Sequence, residues 1–135
     1  MSAEAVFASA LLDHLRDDDG VLAYLGPSGR IYDRAPAGAG FPFLSLGGSQ
    51  SEPIDGDNIN LIDHRITLHI FGRRDDRDSI EDALGVVRSC LHEGQLTRDA
   101  PFNCILCRVV YCDIFPTRDS RTLHGLIRLK AIIET

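Results

Sequence analysis

The sequence predicts an α+β fold: a mainly antiparallel sheet of four to five strands, with two to three helices packed on one of its faces. Two observations support this prediction. Apolar residues recur at helical spacing near the N-terminus and again in the middle of the chain, whereas strand-like apolar segments lie between and after those helices. The last two strand-like segments are joined by a connection of hairpin length, which favours antiparallel pairing over helical crossovers.

Length and composition are typical of one globular domain, which we expect to span residues 1–135. Hydrophobic residues make up 44% of the chain and charged residues 25%, which argues against a disordered protein. No apolar run approaches the roughly 20 residues that a membrane helix needs. The N-terminus lacks the basic and apolar regions of a secretory signal, so we expect synthesis in the cytosol.

The net charge of −6 argues against a general nucleic-acid binder. Such a protein would carry a basic stripe that neutralises phosphates. An acidic protein can still surround a passage through which DNA slides, so that role stays open.

The first helix is predicted over residues 3–16, with Ser2 as its N-cap. The acidic residues 17–19 lie at the wrong end for the helix dipole, so we expect them to end this helix and to cap a second one over residues 21–25. Gly26 and Pro27 then end the helical segment. The apolar positions that define the first helix are Phe7, Ala10, Leu11 and Leu15.

Three strand-like segments follow, at residues 30–33, 41–47 and 61–71. The connection at residues 49–60 is polar, acidic and long for a hairpin loop, and loops of this kind are often functional or mobile. The strand at 61–71 alternates clearly. One face carries Ile62, Ile66, Leu68 and Ile70, and the other carries Asp63, Arg65, Thr67 and His69.

A further helix is expected to begin at a capping box formed by Asp78 and Glu81 and to end near Gly94. Residues 102–115 form a strand that is apolar on both faces, as a central strand would be, and residues 122–133 form a more regularly alternating one. Residues 116–121 are short enough for a hairpin loop between them. In the last strand Leu123, Ile127, Leu129 and Ile133 share a face opposite Thr122, His124, Arg128 and Lys130.

The cysteine spacing C-x-x-C at Cys104 and Cys107 matches half of a zinc site, with Cys112 nearby. Zinc sites usually need a second matching pair. In a regular strand the two residues would also point to opposite faces. We therefore interpret the cysteines as small packing residues, kept as thiols in a reducing compartment.

No catalytic set can be assembled from the sequence. His64 and His69 would face opposite sides of one strand, no H-E-x-x-H or G-x-S-x-G motif is present, and the glycine pairs are not phosphate loops. We expect no catalytic residue, no metal and no cofactor, and hence no enzyme.

Several segments resemble a phage tail-terminator family that also occurs in gene transfer agents, the phage-like particles of some α-proteobacteria. Residues 31–47 are similar to the family opening YDR-x-P…FP-x-x-x-LG. Residues 64–71 and 121–131 are similar to its strands H-R-x-T-L-H-x-x and R-T-x-H-G-x-x-R-x-x-A. The likeness spans residues 3–134 in the same order. Ser120 stands where the family turn has glycine, and the cysteines are not a family feature.

The resemblance implies a structural subunit of a virion or gene transfer agent particle that assembles as a hexameric ring. Such a ring caps the head-proximal end of the tail tube, stops tube polymerisation and presents a docking face to the head connector or neck protein. DNA would pass through its lumen without sequence-specific binding.

The implied ring makes the polar strand faces and the acidic connection candidates for its interfaces. The carboxylates could reach the tail tube or line the channel, where they would repel DNA phosphate. The residues of the strand faces could meet acidic neighbours. The candidates are Glu52, Asp55, Asp57, Arg65, Thr67, His69, His124, Arg128 and Lys130.

Two alternatives remain open at this point. One is a head-completion or neck adaptor protein, which would also be a small ring-forming α+β subunit. The other, from a different class, is a small metal- or ligand-binding enzyme that uses the cysteine strand.

Overall fold

A computed structural model describes residues 2–26, 30–92, 96 and 102–135. Within these residues the chain forms three α-helices and one five-stranded sheet. A 3-10 turn at Arg74–Asp76 leads into the third helix. The elements are α1 (Ala3–Arg16), α2 (Asp19–Leu25), β1 (Ile31–Tyr32), β2 (Phe43–Pro53), β3 (Leu61–Arg73), α3 (Arg77–Leu91), β4 (Asn103–Pro116) and β5 (Thr122–Glu134).

The strand order is β1-β2-β3-β5-β4, in which β1 runs parallel to β2 and all other neighbours are antiparallel. The predicted α+β class is therefore confirmed. Strand β5 lies between β3 and β4 and pairs along its whole length with β3, from Leu61 opposite Glu134 to Arg73 opposite Thr122.

The hydrophobic core lies between the helices and one face of the sheet. Alternate residues of β3 and β5 are buried, as the period of two requires. Two glycines let α3 approach closely: a Cβ at Gly72 would overlap the Ile80 side chain, and one at Gly125 would lie 3.3 Å from Leu84 Cδ1. The largest fully buried side chains are Phe7, Leu11, Leu15, Leu25, Ile31, Leu44, Leu68, Ile70, Ile80, Leu91, Leu123 and Ile127.

Helix α1 begins at the predicted residue, whereas α2 begins at Asp19, two residues before the predicted start, and is capped from the predicted acidic run. The Ser2 hydroxyl accepts a hydrogen bond from the Ala5 amide at 3.1 Å, and the Asp18 carboxylate accepts one from the Val21 amide at 2.9 Å. Helices α2 and α3 end at Leu25 and Leu91, whereas the predicted stops at Pro27 and Gly94 lie outside the described residues.

The predicted capping box of α3 is wrong. The 3-10 turn leads directly into the helix, so Asp78 already lies inside its first turn, and no side chain caps the helix N-terminus. Glu81 accepts a hydrogen bond from Arg77 Nε at 2.9 Å instead of reaching back to the N-cap amide.

The expected central position of β4 is also wrong, because β4 is an edge strand. Its inner face packs on the core, but its outer apolar side chains remain in solvent. Ile105 is 55% exposed, and Val110, Tyr111 and Phe115 are also exposed. An apolar pattern on both faces therefore does not indicate a covered position within this chain.

The acidic connection is shorter than predicted, because β2 continues through Ser49 to Pro53 and pairs with β3 up to Ile62. We call residues 51–60, all of them exposed, the arm. No helix of the described residues is long and apolar enough to cross a membrane.

Candidate assembly interface

The sheet face opposite the helices, here called the open face, brings together six of the predicted interface residues. Strand β3 places three of them outward and β5 places the other three, because the core-facing residues occupy the alternate positions. These six are Arg65, Thr67, His69, His124, Arg128 and Lys130. Glu52, Asp55 and Asp57 lie on the arm.

An aromatic row crosses one end of the open face. Phe43, Phe71, His124 and Phe115 are consecutive cross-strand partners on β2, β3, β5 and β4. Their ring centroids lie 5.2, 4.5 and 4.8 Å apart in that order. Cross-strand aromatic pairs of this kind stabilise a sheet by a few tenths to about 1 kcal/mol each. The row depends on strand order and register, which explains why sequence reasoning missed it.

Two more aromatic rings extend the row at its β2 end. Phe41 stacks on Phe43 with centroids 5.7 Å apart, and Tyr32 of β1 meets the same ring edge-on at 6.0 Å. Since Phe41 and Phe115 are exposed, both ends of the row reach the surface of the protein.

His69 forms a hydrogen bond with His124, a member of this row. His69 Nδ1 lies 2.6 Å from His124 Nε2, so one imidazole donates and the other accepts. Burial lowers the pKa of both histidines, and the neighbouring His69 lowers the pKa of His124 further. Gly47 of β2 leaves room for the His69 ring, because a Cβ at that position would overlap it. The hydrogen bond and the close contact with Gly47 therefore fix the positions of these two rings on the sheet.

A basic zone occupies the middle of the open face. Arg65, Lys130 and Arg108 are consecutive cross-strand partners, and the Arg128 guanidinium lies 5.2 Å from the centre of the Tyr111 ring. Such a cation–π contact is weak at an exposed site. Arg108 was not among the predicted interface residues, although its outward position follows from its pairing with Lys130.

One carboxylate of β3 partly balances this zone. Asp63 lies 3.5 Å from Arg65 Nε and 3.6 Å from Lys130 Nζ, and its buried Oδ1 has no hydrogen bond. These are loose ion pairs. Among the residues that the structure describes, Arg108 and Arg128 form no ion pair at all, so positive charge on the open face is uncompensated.

A groove lies across this basic zone, with a volume of about 470 Å³. Arg65 and Arg128 line it from the central strands. Gly48, Ser49 and Gln50 form its wall on β2, and Val110 forms its wall on β4. The groove is therefore basic with one apolar side.

The arm is an ordered hairpin. The Asp55 carboxylate accepts a hydrogen bond from the Leu61 amide at 3.0 Å, and the amides of Gly56 and Ile59 bond to each other's carbonyls at 3.0 and 3.3 Å. Asn58 turns the chain with φ of 61°. Asparagine tolerates this left-handed conformation better than most residues.

The arm presents both acidic and apolar groups to solvent. Ile54 and Ile59 are 42% and 45% exposed near its tip. Glu52 lies opposite Asp63 in the β2–β3 register, where two like charges repel. In the described part of the chain the carboxylates of Glu52, Asp55 and Asp57 form no ion pair.

The cysteine geometry differs from the prediction. A register shift between Cys104 and Leu106 adds one residue to β4, so Cys104 and Cys107 pair with Ile133 and Ala131, both inward-facing residues of β5. The two thiols therefore lie on the same face rather than on opposite faces.

Each of these thiols forms a hydrogen bond with a backbone carbonyl of the chain. Cys107 Sγ donates to the Leu91 carbonyl at 3.4 Å, and Cys104 Sγ donates to the Leu106 carbonyl at 3.3 Å. A hydrogen bond with Cys104, together with burial, raises the pKa of Cys107. Burial also raises the pKa of Cys90 to about 12. The described residues contain no group of three or more His, Cys, Asp or Glu side chains that could hold a metal ion.

A polar contact that the sequence did not predict joins α1 to the sheet. The Ser51 hydroxyl lies 2.7 Å from His64 Nδ1 and donates to Glu4 Oε1 at 3.3 Å. The buried His64 ring meets Phe7 edge-on at 5.6 Å. Burial lowers the pKa of His64, and the Glu4 carboxylate opposes that shift. Since His64 is covered by α1, this serine–histidine pair has a structural role.

Comparison with known proteins identifies relatives of the chain. The family model described as tail completion protein gp17 matches residues 9–134. A search of curated proteins found no match. Among solved structures, a chain of the virion of a native gene transfer agent (GTA) particle aligns with a TM-score of 0.83. The alignment covers 94% of this chain and 93% of that chain at 16% identity, which shows a shared fold.

Proposed function

Because this chain belongs to the tail completion protein gp17 family, whose model covers residues 9–134, we propose that it closes the tail of a phage-type particle as a ring. Family membership makes the protein a structural component of the virion tail. In our proposal six copies cap the head-proximal end of the tail tube, stop its polymerisation and present a docking face to the head connector.

The observation that supports a ring best is the exposed edge at β4. A strand of 14 residues at the edge of a sheet, with exposed outward apolar side chains, is an aggregation hazard in a monomer. A neighbouring subunit would cover it. A ring needs two unlike patches that meet with a closing rotation, and the other candidates, the open face and the arm, differ in charge and shape from the β4 edge.

The open-face residues have two roles in this proposal. Arg65, Thr67, Arg128 and Lys130 would contact other subunits or tail proteins directly. His69 and His124, which are bonded to each other, would instead hold the aromatic row in place beneath such contacts. DNA would pass through the lumen without base-specific contacts, in keeping with the net charge of −6.

The proposed role requires no reaction. Two pairs of side chains could suggest a reaction, but both have structural explanations: the Cys104–Cys107 pair in the core and the Ser51–His64 contact at α1. A metal assay on purified protein tests the alternative: one equivalent of zinc per chain would favour a metal-binding protein, and we expect none.

Light scattering after size-exclusion chromatography tests the ring directly. The expected mass is six times the 14.9 kDa of one chain, either for the protein alone or after addition of tail-tube protein. A stable dimer that tube protein does not convert would contradict the proposal, because an isologous pair cannot close a six-membered ring with the same contacts.

A further inference from the structure

The open-face groove and the arm have complementary chemistry. The groove presents the cations Arg65 and Arg128 beside the apolar Val110, whereas the arm presents Asp55 and Asp57 beside Ile54 and Ile59. A groove of about 470 Å³ has room for a few side chains, the size of one hairpin tip.

The arm cannot fill the groove of its own chain. It continues the plane of β2 and β3, where Pro53 pairs with Ile62 and the Ile54 amide donates to the Leu61 carbonyl at 3.0 Å. The groove lies further back on the same strands, at Gln50 and Arg65. Folding the tip back by that distance would break the cross-strand hydrogen bonds that order the arm.

From these observations we propose that the arm of one subunit lies in the open-face groove of the next copy of the chain. The inference rests on the ring assembly proposed above and assigns a pair of surfaces to it. Each copy contributes one arm and one groove, so the contact is heterologous and continues around a ring. Charge complementarity selects the partner and fixes the register of the contact.

Each exposed charge gains a partner in this contact. The carboxylates of Asp55 and Asp57 have no ion pair within the described residues, and neither does the Arg128 guanidinium. Ile54 and Ile59 would leave water against Val110, whose outward side chain is exposed in the single chain. Burial of such apolar groups stabilises an interface, and the surrounding ion pairs give it specificity.

The test is a charge exchange in cells that carry each variant as the only copy of the gene. Asp55→Lys/Asp57→Lys reverses the arm, and Arg65→Glu/Arg128→Glu reverses the groove. Each alone should reduce the number of complete, DNA-filled tailed particles counted by electron microscopy by at least about tenfold, because like charges then meet. The chain with all four substitutions should restore particles to within about threefold of the wild type, because the charges are exchanged and opposite again.

Co-expression of the two reversed chains gives an independent readout. A reversed arm fits a reversed groove, and a normal arm fits a normal groove, so alternating subunits should also form particles. Asp75→Lys/Asp76→Lys, which reverses two exposed carboxylates outside the arm, is the matched control and should leave particle numbers unchanged. Thermal unfolding of each purified variant shows whether it folds.

Several outcomes would overturn the inference. If folded single reversals both fail and neither their combination nor co-expression restores particles, the arm and groove meet different partners. Binding of a short DNA duplex by the wild type that is lost in Arg65→Glu/Arg128→Glu would make the groove a phosphate site instead. Normal tails in cells without the gene would refute the ring itself, a result that is separate from any charge exchange.

Discussion

His124 Nε2 lies 2.6 Å from His69 Nδ1, in a hydrogen bond that joins β5 to β3 beside the aromatic row. Only one proton can occupy the space between these nitrogens. Burial lowers the pKa of both imidazoles, so the folded protein favours their neutral forms.

We expect this histidine pair to make the stability of the fold sensitive to acid. A base with a lowered pKa in the folded state binds protons more readily after unfolding, so its contribution to stability is complete above the unfolded pKa of about 6.5 and is lost as the pH falls below that value. His64, whose pKa burial also lowers, acts in the same direction. Thermal unfolding should therefore give a lower Tm at pH 5.5 than at pH 7.5.

A variant checks the origin of this acid sensitivity. His124→Phe keeps an aromatic ring between Phe71 and Phe115 but removes one titrating group, so the difference in Tm between the two pH values should shrink. An unchanged difference in the folded variant would assign the effect to groups other than His124.

Gly72→Ala should destabilise the protein by about 1–3 kcal/mol, because the new methyl group would overlap Ile80 and push α3 off the sheet. Gly48→Ala is the matched control, since a Cβ there meets nothing within 4 Å. That substitution should be neutral or stabilise the protein by up to about 1 kcal/mol, because alanine lowers the conformational entropy of the unfolded chain. Urea unfolding of both variants measures the difference. Equal effects would mean that the contact between Gly72 and Ile80 does not limit packing.

Ser120→Gly should stabilise the protein by about 0.5–1 kcal/mol. Ser120 has φ of 59° in the β4–β5 turn, a conformation that costs most residues free energy and costs glycine little. Its amide donates to the Thr117 carbonyl at 3.0 Å, a contact that glycine keeps. Asn58→Gly, at φ of 61° in the arm, should give a smaller gain because asparagine already tolerates this region. A loss of stability in Ser120→Gly would show that the serine side chain stabilises the turn.

Cys90 and Cys107 should react more slowly with iodoacetamide at pH 8 in the folded protein than in the unfolded one. Burial raises the pKa of Cys90 to about 12, and the hydrogen bond with Cys104 raises the pKa of Cys107, so both should be alkylated at least about tenfold more slowly than in urea. Mass spectrometry after a timed reaction identifies the modified residues. Rapid modification of Cys107 in the folded protein would show that β4 opens readily at the edge of the sheet.

The sequence predicted those elements whose signals are local. The side chains of Ser2 and Asp18 each cap a helix by accepting a hydrogen bond from an amide three residues further along the chain. The strict alternation of β3 and β5 assigns each residue to one face. The glycine expected at position 120 corresponds to a left-handed residue in the structure.

The remaining features depend on contacts between distant segments. The apolar pattern of β4 predicted a central strand, because a sequence does not show whether apolar side chains are covered within the chain or exposed to solvent. The register shift that joins Cys104 and Cys107 on one face cannot be deduced from the even spacing of a strand. The row of Phe43, Phe71, His124 and Phe115 requires both the strand order and the register, so it follows only from the fold.

The most direct test of the proposed function is the length of tails in cells that lack the gene. Electron microscopy should show tails of variable and excessive length, separate from DNA-filled heads, because no ring stops the tube. Tails of normal length would contradict the proposal, and heads that leak DNA or carry no tails beside tubes of normal length would indicate a neck adaptor instead.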